Sequence, residues 1–124
     1  METPSLWKIN TETYEATKTY TFEEGGSFRL MLGINGEGDT LYFIHNAVWA
    51  IDIATGELPA EPLITIEGLS QYGAGIDPVS GDIYIADAKD NMSNGEVHRY
   101  SSEGELIDTF EVGLLPSKFA FFAK

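Results

Sequence analysis

Gly33-Ile34-Asn35 recurs as Gly75-Ile76-Asp77, and the offset of 42 residues between the two copies decides the fold. Tyr42 recurs as Tyr84 at the same offset, so both pairs share one register without a gap. A fixed period of this length is typical of architectures that stack copies of one supersecondary unit. The chain therefore contains at least two consecutive copies of one structural unit.

The repeat extends to both sides of these copies. Trp7 recurs as Trp49, again 42 residues later. A further copy of the segment 49–58 occurs at 98–106. Its offset is larger than 42 residues because the loop at 87–95 is longer than its counterpart in the preceding unit. One loop differs in length, while the order of the segments is kept.

Apolar and polar residues alternate with a period of two along most of the chain, and these runs end at clusters of Gly, Asp and Asn. Such runs are typical of β-strands, and such clusters are typical of turns. No segment carries a sustained helical stripe. The clearest runs are 41–44, 48–53, 63–66, 82–86 and 119–122.

A period near 42 residues with about four strands matches one blade of a β-propeller. We therefore expect an all-β fold, a partial β-propeller of about two and a half four-stranded antiparallel blades. The alternative is a small open β-sandwich. The predicted units are the outer half of a blade at 1–24, full blades at 25–67 and 68–112, and the first strand of the next blade at 113–124.

The inner strands of three blades are expected at 28–34, 72–76 and 118–122. A propeller hides its strand edges by closing a ring of blades, and this stretch is too short to close alone. We therefore expect the open blade faces to be covered by the remaining blades of a longer parent protein, or by self-association.

The charge of the chain argues against several classes of partner. Its 124 residues include 7 Lys and Arg against 20 Asp and Glu, a formal net charge of -13. Nucleic acids and anionic membrane surfaces are bound by clustered cations, so neither is an expected partner. No apolar run is long enough to span a bilayer, so membrane insertion is not expected, and an export signal would lie upstream of this stretch.

The strongest candidate for a binding site is the long loop that interrupts the repeat. It supplies Asp87, Asp90, Asn91 and Asn94, and an inserted loop on a rigid scaffold often carries function. The alternative is that these side chains only satisfy the backbone of turns. The residue order of a calcium-binding EF-hand is missing and Lys89 lies among the acids, so we predict no metal site.

The same face of the propeller is expected to carry His45, Asn46, Arg29 and Tyr72. An aromatic ring beside amide and hydroxyl groups suits a polar ligand with apolar faces. Tyr72 could equally pack between blades.

The remaining aromatic and catalytic candidates favour a structural interpretation. Trp7, Trp49 and His98 occupy equivalent positions of the repeat, so we expect them to be packing residues. The chain has two histidines, no cysteine and no Gly-x-Ser-x-Gly motif. It therefore shows no recognisable nucleophile and base, and we expect neither an enzyme nor a cofactor.

The last repeat carries a more specific pattern. It comprises Asp82 to Asn91, Gly95 to Leu106, and a closing Gly-x-x-Pro-x-x-Phe from Gly113 to Phe119. This resembles the C-terminal end of the YncE-like (DUF5074) surface propellers of the Bacteroidetes. The resemblance implies an exported lipoprotein at the outer-membrane surface or in the periplasm. Some relatives, the BtuG-type proteins, capture cobalamin beside a TonB-dependent transporter.

Three functional hypotheses follow from the residues and the resemblance together. The first is a non-catalytic cell-surface propeller that binds a small polar ligand, with a corrinoid (vitamin B12) as the named candidate. The second is a protein interaction scaffold of an outer-membrane complex, which would dock through its acidic rim. The third is a propeller hydrolase.

Overall fold

The structure is a computed structural model that describes residues 3, 5–22 and 32–122. Every regular element in these ranges is a β-strand, and none is a helix that could cross a membrane. The ten strands are β1 (Ser5–Ile9), β2 (Ala16–Thr21), β3 (Leu32–Ile34), β4 (Thr40–Ile44), β5 (Ala47–Asp52), β6 (Ile64–Thr65), β7 (Gln71–Ile76), β8 (Ile83–Asp87), β9 (Glu96–Tyr100) and β10 (Leu106–Glu111).

The strands form three antiparallel sheets in chain order. The first sheet pairs β1 with β2, the second has the order β3-β4-β5-β6, and the third has the order β7-β8-β9-β10. Each strand of the four-stranded sheets lies beside its neighbour in sequence, because short turns connect antiparallel strands directly. The two complete sheets are thus simple up-and-down meanders, as expected for blades.

The sheets stack face to face, and the hydrophobic core lies between them. Along β4, Tyr42 and Ile44 pack with Ile83 and Ile85 of the third sheet. Phe43 points the other way and packs with residues of the first sheet. Since successive side chains of a strand point to opposite faces, β4 is buried on both sides. The second sheet is therefore the central layer of the described chain.

The repeated glycines allow neighbouring sheets to approach closely. A β-carbon placed on Gly33 would lie 2.6 Å from the Cδ1 atom of Ile76 on β7. One placed on Gly75 would lie 2.9 Å from the Cβ atom of Phe119. In both copies of the repeat, the glycine at this position therefore packs against the inner segment of the next unit. The recurrence of glycine at this offset reflects the packing between units.

Within the described residues, the predicted strand positions agree with the observed ones except at two places, and residues 28–31 of the inner strand expected at 28–34 lie outside the described residues. The outer strand expected at 63–66 is shortened to Ile64–Thr65. The inner strand expected at 118–122 is not formed, since these residues have no strand hydrogen bonds in the described chain. Phe119 and Phe121 instead lie against the ring of Tyr84 on β8. A strand needs a neighbouring strand that pairs with it edge to edge, and this segment instead packs on the face of the third sheet, against Gly75 and Tyr84.

Candidate functional site

The candidate residues that the structure describes lie at one end of the second and third sheets. Asp87 ends β8, and it pairs in register with Gln71 at the start of β7, next to Tyr72. The His45-Asn46 turn joins β4 to β5, at the equivalent position of the preceding repeat. Antiparallel pairing brings the end of one strand beside the start of the next. Loop residues far apart in sequence therefore share this end of the sheets.

Asp87 connects two loops at this end. Its Oδ1 atom accepts hydrogen bonds from the backbone N–H groups of Ser70 and Lys89, each at 2.9 Å. The N–H of Ala88 donates in return to the carbonyl of Ser70 at 2.9 Å. Asp87 is buried, with 7% of its surface exposed. A buried carboxylate that accepts two backbone hydrogen bonds holds both loops in place.

The long loop after Asp87 satisfies much of its own backbone. The carboxylate of Asp90 accepts from the N–H groups of Met92 and Ser93 and from the Ser93 hydroxyl. These backbone bonds, Met92 first, hold the pKa of Asp90 below its ordinary value. Asn91 turns the chain with a φ of 63°, a conformation that Asn tolerates better than most residues. Asp90 and Asn91 therefore hold positions that build the turn.

The ends of the loop are attached to the neighbouring strands. The amide of Asn94 donates to Oε1 of Glu111 on β10 at 3.2 Å. The ammonium of Lys89 lies 2.9 Å from Oε1 of Glu96 on β9. That hydrogen bond is the main cause that raises the pKa of Lys89. The loop is thus fixed against the third sheet through both of its ends.

Sequence reasoning missed a polar cluster on β8 and β9. Asp87 and Glu96 are direct partners across the two strands, and His98 lies two residues further along on the same face. The Nε2 atom of His98 lies 3.7 Å from Oε2 of Glu96 and 4.0 Å from Oδ2 of Asp87. The sequence indicated a packing residue at His98, and its side chain is 15% exposed, but its ring also faces two carboxylates. The alternation along β9 places Glu96 and His98 on one face of the strand. Only the register between β8 and β9 shows that Asp87 lies on that face beside them.

A cleft of about 500 Å³ lies between the first and second sheets. It includes two of the predicted residues, His45 and Asn46. Its lining residues are Tyr20, Phe22, His45, Asn46, Ala47, Trp49, Leu58, Pro59 and Ala60.

Aromatic contacts shape the wall of this cleft. The ring of Phe22 packs edge-on against Tyr20 at 4.9 Å and lies 5.1 Å from the ring of His45. The indole N–H of Trp49 donates to the backbone carbonyl of His45 at 3.0 Å, which fixes the indole against the turn. Asn46 is exposed and has a φ of 57°. The cleft thus combines an aromatic wall with a polar rim.

The structure does not bring all predicted site residues into one pocket. Among the described residues, neither Tyr72 nor the loop from Asp87 to Asn94 lines the cleft at His45. Tyr72 is 43% exposed at the start of β7. Arg29 lies outside the described residues. The candidate residues therefore divide between the cleft and the third-sheet loop.

No family model matches the chain, and no curated protein matches it. Its structure is similar to the crystal structure of a quinoprotein alcohol dehydrogenase-like protein from Bacteroides thetaiotaomicron, with a TM-score of 0.73. The chain has the fold of part of a β-propeller. The match covers 92% of this chain but 30% of that chain, so this chain spans less than a third of its neighbour's length.

The likeness extends to the fold alone, because the two sequences are 16% identical. The prediction of an all-β partial propeller is confirmed, with two four-stranded sheets and a two-stranded one. Membership of the YncE-like family stays a prediction.

Proposed function

We propose that this chain is a non-catalytic binding part of an exported, cell-surface β-propeller. It would hold a small ligand with an apolar face in the cleft between the first two sheets. The observation that supports this proposal is the cleft of about 500 Å³ with the aromatic wall of Tyr20, Phe22 and Trp49 and the polar rim at His45 and Asn46. A concave site that combines apolar walls with well-placed polar groups is typical of small-molecule binding.

A corrinoid is the ligand to test first, because of the resemblance to the YncE-like propellers. The volume of the cleft suits a drug-sized ligand. Only part of the surface of a corrinoid would therefore be in contact with the cleft. The remaining contacts would come from other blades or from a partner such as a TonB-dependent transporter.

Cyanocobalamin titration tests this proposal by calorimetry and by tryptophan fluorescence. The Trp7→Phe variant leaves Trp49 as the single indole, so any quenching reports on the cleft. We expect saturable quenching and weaker binding by Tyr20→Ala, while Tyr14→Ala serves as the matched control. Tyr14 is 82% exposed and does not line the cleft. If cyanocobalamin gives neither heat nor quenching, the corrinoid hypothesis fails.

A protein interaction scaffold is the second candidate, and the edge strand β10 favours it. Its six residues are all exposed, and Leu106, Ile107 and Phe110 are 57%, 49% and 43% exposed. Apolar side chains on an open edge strand suit contact with another protein. In that case β10 variants such as Phe110→Ser would abolish binding of the outer-membrane partner, and variants of the cleft would not.

The third hypothesis, a hydrolase, is tested by turnover. A binding protein needs no catalysed reaction. We therefore expect activated ester and lactone substrates to be hydrolysed no faster than in buffer alone, with or without added divalent metal. Reproducible turnover that follows the protein concentration would replace the binding proposal with an enzymatic one.

A further inference from the structure

Three side chains on β8 and β9 direct potential metal ligands towards one point. Asp87, Glu96 and His98 each offer a ligand atom, and these atoms all lie within 4.8 Å of one another. The strand register explains this convergence, because Asp87 and Glu96 are cross-strand partners and His98 lies on the same face of β9.

The Nε2 atom of His98 is buried and has no hydrogen-bond partner in the described part of the chain. Its distances of 3.7 Å to Glu96 and 4.0 Å to Asp87 exceed those of a hydrogen bond. A buried polar atom left without a partner costs free energy. A cation between the ring nitrogen and the two carboxylates would satisfy all three groups together.

The other atoms of the three side chains are already held by the protein. Oδ1 of Asp87 accepts two backbone hydrogen bonds, and Oε1 of Glu96 is paired with Lys89. The oxygens nearest to His98 are the other oxygens of the same two carboxylates, Oδ2 of Asp87 and Oε2 of Glu96. The carboxylates are therefore oriented before any ion binds, which lowers the entropic cost of binding.

The ring of His98 is positioned from its far side. Its Nδ1 atom lies 3.4 Å from the hydroxyl of Thr109 on β10. A contact at one ring nitrogen orients the ring and leaves the other nitrogen available to a metal. Thr109 would thus act as a positioning residue for Nε2.

We propose that Asp87, Glu96 and His98 bind one divalent transition-metal ion of the zinc class, with a coordination position left open. One imidazole and two carboxylates suit zinc, whereas calcium and magnesium prefer oxygen ligands throughout. Zinc bonds of about 2.1 Å in tetrahedral geometry place ligand atoms about 3.4 Å apart. The observed 3.7 and 4.0 Å reach that spacing after small side-chain movements. This site goes beyond the proposed ligand cleft and lies on a different sheet.

Calorimetric titration of the untagged, chelator-treated chain with zinc chloride tests the proposal. We expect one zinc ion per chain, and binding weakened by more than about tenfold in His98→Ala and Glu96→Gln. Glu103→Gln is the matched control, since it removes the same charge in the β9–β10 turn outside the cluster. Cobalt(II) in place of zinc should give the visible absorption of a four-coordinate ion, and this absorption should be absent in His98→Ala.

A second measurement does not depend on the folding of a variant. In the wild-type chain, zinc should shift the NMR signals of the His98 ring and leave those of His45 in place. Absence of saturable zinc binding would overturn the proposal. So would full affinity in His98→Ala, or His98 ring signals that do not respond to zinc.

Discussion

Gly36 lies against the backbone carbonyl oxygen of Pro78, its own equivalent 42 residues later, so closely that a β-carbon at Gly36 would overlap that oxygen. The two residues occupy the same turn in the second and third sheets. The atom that this β-carbon would meet belongs to the backbone of Pro78, so a change of side-chain rotamer cannot relieve the overlap. The two turns therefore fix the spacing of the neighbouring sheets.

The Gly36→Ala substitution should destabilise the chain. We expect a loss of about 1–3 kcal/mol in the free energy of unfolding, because the added methyl group forces the two sheets apart. Urea denaturation followed by circular dichroism measures this loss. Gly113→Ala is the control, since nothing lies within 4 Å of a β-carbon at that position. Equal stability of the two variants would contradict the close packing of the turns.

Trp49→Phe should weaken the wall of the cleft. The substitution keeps an aromatic ring but removes the hydrogen bond from the indole to the carbonyl of His45. A loss of about 0.5–1.5 kcal/mol in unfolding free energy is expected for one partly buried hydrogen bond. Trp7→Phe, at the equivalent position of the preceding repeat, is the control. The indole of Trp7 bonds to the exposed hydroxyl of Ser5, so its loss should cost less.

The stability of the turn at Asp39 should depend on pH. Hydrogen bonds from the side chains of Asn35 and Thr40 lower the pKa of Asp39 below its ordinary value of 3.8. A depressed pKa stabilises the folded state above the ordinary value, and this contribution is lost as the pH falls through the folded pKa. Carbon-detected NMR titration should place the Asp39 midpoint below 3.8.

Asn35→Ala isolates the cause of that shift. Removal of the amide should raise the pKa of Asp39 towards its ordinary value, because the hydrogen bond from Asn35 is the largest contribution to the shift. Asn10→Ala is the matched control, since Asn10 caps a turn that contains no aspartate. An Asp39 midpoint that does not move in Asn35→Ala would refute this assignment.

The chain should associate in solution. Among the described residues the first sheet has two strands, and its strand β1 carries Trp7 and Ile9 at 48% and 61% exposed. Unpaired strand edges with apolar side chains are templates for pairing with another chain. Light scattering across a concentration series should therefore show oligomers of the isolated chain. A monomer at all concentrations would mean that the open sheets are stable without a partner.

Much of the fold followed from local pattern. The two-residue alternation and the turn clusters placed the strands of both full blades, because these signals come from the backbone geometry of strands and turns. The segment 118–122 carries the same alternation but forms no strand in the described chain. Alternation specifies which side chains can be buried, and pairing requires a neighbouring strand.

The candidate sites followed less from the sequence. Asp90 was selected for its carboxylate, which the structure uses for a turn. His98 was read as a packing residue, although it faces Asp87 and Glu96. The sequence could not show this cluster because the loop between β8 and β9 leaves the pairing register open.

The sequence by itself determined the repeated unit, because its period of 42 residues and its alternation are properties of the chain alone. The tertiary structure decided which units touch, which glycines lie between sheets and which polar side chains meet. These relationships depend on strand register and on the stacking of sheets. Both are set by contacts between residues distant in sequence, such as Gly36 with Pro78 and Asp87 with His98.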